Sequence, residues 1–174
     1  MRMPIRASLL IVLMLSLLLG ACGFHLRGQN AFTLQFQKLY VKSPNDYAPF
    51  ITELKSAIQA NGVKITNTPE QAQLTLQIVS EVTDKQILSL SGGGQVLQYT
   101  LQYRVSLRLY DQKQQEWLVP QEIKLRRDFS YDNTKVLAMI QEEALLYENM
   151  RSDAVQQVLR RLDHAHPPLP DTPQ

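Results

Sequence analysis

The side chain best suited to covalent chemistry is Cys22, the only thiol in the 174 residues, because its thiolate is easily alkylated. With no second cysteine it cannot close an internal disulfide, so stability must come from a packed core. Nothing around it suggests catalysis: no serine or acid stands in a recognisable catalytic motif, and His25, three residues on, reads as an anchor or interface residue. His164 and His166 offer two metal ligands without a cysteine or carboxylate cluster, which makes a poor site. Gly92-Gly93-Gly94 lacks the lysine and hydroxyl residue of a phosphate-binding loop and joins two alternating segments. No catalytic residue, metal or cofactor is expected.

Cations offer the other chemistry. Arg104 and Arg108 fall on one parity of an alternating segment, and Lys124 and Arg126 share a parity in the next. Together they would form a basic strip for phosphate or carboxylate groups. The plainer reading is that alternating arginines keep a wet sheet face soluble. Glu142, Glu143 and Glu148 read as solvated.

The segment before Cys22 decides what its thiol is for. Arg2 and Arg6 make a positive start, and Leu9 to Leu19 make an apolar run too short to span a bilayer, the pattern of a secretion signal. Leu19-Gly20-Ala21-Cys22 looks like a bacterial lipobox, which implies cleavage before Cys22 and acylation of its sulfur, and Gly23 in place of aspartate implies outer-membrane sorting. Two or three acyl chains give stable anchoring. Removing residues 1–21 takes away Arg2 and Arg6 and no acid, leaving 16 basic and 16 acidic residues. A neutral chain does not suit a nucleic-acid partner, which calls for a broad cationic face.

The elements that must hold these groups follow from periodicity. Residues 22–33 read as a lipidated tether, residues 34–162 as one domain and residues 163–174, with four prolines, as a disordered tail. Leu34 to Val41 alternates as a short strand. Asp46 would cap a helix with Pro49 in its first turn and Phe50, Leu54, Ala57 and Ile58 on one face, closed by Asn61-Gly62. Leu74, Leu76, Ile78, Ser80 and Val82 open a long strand that reaches the Gly92–Gly94 hairpin. Leu97, Tyr99, Leu101, Tyr103, Val105, Leu107 and Leu109 line one face of the next strand; the other face is wet. After a polar turn over 111–116, Ile123, Leu125, Phe129 and Tyr131 continue a third strand, in which Arg127 is the odd member of the apolar face. Asp132-Asn133-Thr134 would cap a helix to Leu162 carrying Val136, Ile140, Ala144, Tyr147, Ala154 and Val158.

The fold class is therefore α+β. It is an elongated two-layer sandwich in the order strand, helix, three-stranded meander, helix, with both helices on one face of a four-stranded mixed sheet. The first crossover favours a right-handed parallel pairing.

Cys22-Gly23-Phe24-His25-Leu26-Arg27-Gly28 resembles the start of the mature chain in the LptE family of lipopolysaccharide-assembly lipoproteins. The order of the other features is similar too: a helix ending Asn61-Gly62-Val63, a glycine hairpin before Gln95, an Asp132-Asn133 turn and a long last helix ending Leu159-Arg160-Arg161-Leu162. The resemblance implies a palmitoylated outer-membrane lipoprotein facing the periplasm. It further implies that the domain plugs the lumen of the β-barrel LptD, assists its assembly and serves lipopolysaccharide insertion into the outer leaflet. The 92–94 turn carries no cation, so lipopolysaccharide contact would fall to Arg104, Arg108, Lys124, Arg126, Arg127 and Lys135. The alternative is a periplasm-facing accessory lipoprotein that activates an enzyme or transporter.

Overall fold

A computed structural model of the chain describes residues 32–167; Cys22, the signal segment, most of the tether and the last seven residues lie outside the described residues. Strand β1 (Lys38–Lys42) begins later than Leu34. The amides of Gln37 and Lys38 are taken by the Gln73 Oε1 atom at 2.6 and 3.1 Å, so a side chain substitutes for the ladder at its entry.

Helix α1 (Pro49–Ala60) buries Phe50, Ile51, Leu54 and Ile58. Its N-cap is Ala48, which makes no side-chain bond, and not Asp46. Pro49 keeps the residue before it out of the helical region, so the helix starts too late for Asp46 to reach its first amides. Asp46 instead pairs with Lys55 at 3.3 Å. The exit is as expected: Asn61 and Gly62 donate back to the carbonyls of Ile58 and Gln59, with Gly62 at φ +84°.

A two-residue strand, β2 (Lys64–Ile65), pairs parallel with β1 and makes the sheet five-stranded instead of four, in the order β2-β1-β3-β4-β5. Two residues carry no periodicity, which is why β2 was not expected. Strands β3 (Leu74–Leu90), β4 (Val96–Asp111) and β5 (Glu116–Ser130) form the antiparallel meander, and β1 pairs parallel with β3. At about 3.3 Å per residue β3 is roughly 55 Å long. The apolar phase of β3 holds only to Ile78. A bulge between Ile78 and Ser80 then turns Ser80 and Val82 outward and sets Glu81 opposite Val105 on the helix side. Strand β5 starts at Glu116, ahead of the expected Ile123, because Val119 and Pro120 sit in a bulge that interrupts the alternation; proline has no amide to give the ladder.

Helix α2 (Val136–Asp163) crosses the same sheet face as α1. Lys135 is its N-cap without a side-chain bond, while Asp132 accepts from the amide and hydroxyl of Thr134 at 2.9 and 2.7 Å in the preceding turn. Met150, Ala154, Val155, Val158, Leu159 and Leu162 are buried, but Val136, Ile140 and Ala144, expected on the same inner stripe, are exposed. The core lies where both helices cover the sheet; α1 is too short to reach the first turns of α2. There α2 is held by polar contacts: Lys85 pairs with Glu143, which is thus not simply solvated, and the Tyr147 hydroxyl donates to the Asp84 carbonyl at 3.0 Å. Thr33 donates its amide to Asp163 at 2.9 Å and Ala165 is buried, so both ends of the described domain meet at the end opposite the glycine hairpin.

Candidate functional site

In a strand, residues two apart share a face, and the register of β4 and β5 sets Arg104 opposite Lys124 and Gln102 opposite Arg126 on the face away from the helices. Arg108 lies further along the same face. The strip is assembled, but it is not a free cationic surface. Lys124 pairs with Glu122 at 2.9 Å, Arg126 with Asp128 at 3.1 Å and Arg108 with Glu116 at 3.8 Å. Glu122 and Asp128 share parity with the cations beside them, so those two pairs are legible in the sequence; Glu116 meets Arg108 only across the β5 bulge.

Arg104 differs. It has no acidic partner among the described residues, and its Nε–H is buried without any hydrogen-bond acceptor. Its terminal guanidinium nitrogens, unpaired among the described residues and across from a lysine, are where the face can still take an anion; the buried Nε is out of reach. Arg127 is not part of the strip: paired opposite Leu101 on the helix side, it donates to Asp153 of α2 at 2.7 Å. Lys135 stands at the start of α2 beside Asp132 at 3.8 Å, away from the strip. Such exposed pairs contribute roughly 1 kcal/mol or less each.

A second polar group was not expected because the bulge in β3 creates it. The Tyr103 hydroxyl, 2% exposed as a residue, donates to Glu81 at 2.5 Å. Glu53 of α1 accepts from Arg151 at 3.1 Å and from Ser152 at 2.6 Å, both on α2. These contacts tie strand to strand and helix to helix beside the core. Burial first, then the Glu81 hydrogen bond, raises the Tyr103 phenol well above its ordinary pKa of 10. Below pH 10 both folded and unfolded phenols are protonated and the contribution is complete; above it the unfolded chain ionises first, so stability falls. The denaturant midpoint is expected to drop between about pH 9 and pH 11, and to drop less in Tyr103→Phe.

Residues 36–162 match the family model described as LptE, Lipopolysaccharide-assembly. The chain belongs to the LptE family. The match runs from just before β1 to the end of α2, so it takes in the whole core and the strip, and it places the chain among lipopolysaccharide-assembly proteins and not among enzymes. The LPS-assembly lipoprotein LptE of Pectobacterium atrosepticum is 28% identical over 158 residues, covering 87% of this chain and 83% of that protein. That of Yersinia enterocolitica is 27% identical over 160 residues, covering 91% and 76%. The solution NMR structure of an uncharacterized lipoprotein B from Nitrosomonas europaea superposes with a TM-score of 0.70 at 37% identity, covering 81% of this chain and 90% of that one. The crystal structure of rare lipoprotein B from Shewanella oneidensis gives 0.65 at 25%, covering 72% and 93%. Among the described residues no helix is long and apolar enough to cross a membrane.

Proposed function

We propose that this LptE-family chain is an outer-membrane lipoprotein, cleaved after residue 21 and acylated on Cys22, whose domain plugs the lumen of the LptD barrel. There it assists barrel assembly and serves the insertion of lipopolysaccharide into the outer leaflet. The observation that carries the reading is the family match over residues 36–162. Two features support it. A wide barrel has a polar interior, and the outer sheet face presents glutamines, serines and paired charges suited to it. The described chain also begins, with Thr33 bonded to Asp163, at the end of the sheet opposite the glycine hairpin.

Lipopolysaccharide phosphates would meet Arg104 first, with Lys124, Arg126 and Arg108 exchanging their acidic partners; Arg127, on the helix side, and Lys135, away from the strip, stand outside this contact. A charge-assisted hydrogen bond contributes roughly 1.5–3 kcal/mol, about tenfold or more in affinity. Titration of purified lipopolysaccharide into the full-length protein should therefore show about a tenfold loss for Arg104→Gln. Arg126→Gln should lose less, since Asp128 already compensates it, and Arg127→Gln little. Equal losses for all three would contradict a phosphate site on this face.

A further inference from the structure

Tyr40, Thr75 and Tyr110 stand side by side on the outer face across three adjacent strands, with Tyr40 opposite Thr75 and Thr75 opposite Tyr110. At about 4.8 Å between strands the two tyrosine backbones are roughly 10 Å apart, with a threonine as the floor between them. The walls are fixed. The Arg108 guanidinium lies 4.9 Å over the Tyr110 ring and donates to Gln77 at 3.0 Å. Gln112, from the β4–β5 turn, donates to the carbonyls of Glu70 and Ala72 at 3.3 and 2.7 Å, which clamps the turn to the short 3-10 segment Pro69–Gln71. The result is a cleft of about 520 Å³, open on one side. That volume is within the range of roughly 300–1,000 Å³ common for small-molecule sites.

We infer that this cleft binds a pyranose sugar. The partly exposed Tyr40 ring can offer a flat apolar face to the C–H side of a sugar, while Tyr110, buried with Arg108 over its ring, offers its hydroxyl at the rim. The Tyr40 and Tyr110 hydroxyls, the Lys42 ammonium and the Glu70 carboxylate line the cleft and make no hydrogen bond to other described residues, so they are free to meet a ring rich in hydroxyls. The free charges balance, because the Asp111 carboxylate is already taken by the amides of Lys113 and Gln115. A balanced polar lining selects against a bare phosphate and against an acyl chain alike. The site lies apart from Arg104 and does not depend on the barrel reading.

The sugars of lipopolysaccharide and of the cell-wall glycan share this chemistry. Saturation-transfer NMR on the full-length protein in detergent separates them, using deacylated and dephosphorylated lipopolysaccharide oligosaccharide, which the phosphate strip cannot hold, in one arm and the N-acetylglucosamine–N-acetylmuramic acid disaccharide in the other. Transfer to ring protons in one arm is expected and names the source. Affinity should fall at least tenfold in Tyr40→Ala and less in Tyr40→Phe. Lys42→Ala, at an exposed position, gives a second loss that does not disturb folding. No transfer in either arm, or binding retained in both Tyr40→Ala and Lys42→Ala, would overturn the inference.

Discussion

Cys22→Ser is expected to abolish recovery of the protein with the outer membrane. Each buried methylene of an acyl chain contributes about 0.8 kcal/mol, so a single long chain contributes on the order of 10 kcal/mol before losses, and a second makes release negligible on a cellular timescale. Serine lacks the alkylatable sulfur, so the variant carries no lipid. Intact-mass measurement of the wild-type protein should give a chain beginning at Cys22 and heavier by two or three acyl groups. The variant should lack that mass and be missing from salt-washed outer membranes. An unmodified Cys22 in wild-type protein would contradict the anchoring half of the proposal, whatever the domain does.

The second large effect lies in the core. Leu107→Ala should cost about 3–4 kcal/mol of unfolding free energy, out of a total of roughly 5–15 for a domain. Leu107 is 0% exposed in the interior strand β4, in register with Ile78 of β3, and lies in the cluster that α1 and α2 cover. Its truncation leaves a cavity that neighbours in two layers cannot all close. Leu97, on the same strand and of the same expected apolar phase, is 47% exposed beyond the reach of α1. Leu97→Ala should cost only about 1 kcal/mol on the area scale, with no cavity to add to it. Chemical denaturation of the two variants reads the contrast directly, and equal costs would mean that the core is not confined to the end where both helices lie.

That pair of leucines also marks how far the sequence can be read. Strict alternation from Leu101 to Leu109 identified the inner face of β4 correctly, and the Asn61-Gly62 stop fixed the end of α1, because both signals are local. The failures came from non-local causes. A bulge after Ile78 shifts the phase of β3 by one residue, which moves Glu81 inward and Val82 outward; nothing in the residues themselves announces it. β2 forms because β1 offers an open edge, not because Lys64-Ile65 has a pattern. Val136, Ile140 and Ala144 keep helical spacing with the buried half of α2 yet are exposed, since burial depends on what a neighbouring helix covers.

The basic strip shows the same division. Its assembly is legible from parity, and so is its near-neutrality, because Glu122, Lys124, Arg126 and Asp128 alternate on one face. What singles out Arg104 is the register that leaves it opposite Lys124 with no acid beside it, a fact of pairing between strands. The Tyr40–Thr75–Tyr110 cleft is also a matter of register, since its three residues are far apart in sequence and each taken alone is an ordinary strand residue.

The most direct test of the plug reading is to purify the acylated protein from native membranes in mild detergent, wash it at high salt and identify what remains bound by mass spectrometry. A buried plug interface is large and loses little to screening, so a large outer-membrane β-barrel should be recovered in a one-to-one ratio. Recovery of the lipoprotein alone, or with a periplasmic enzyme or a transporter, would contradict it and favour an accessory role.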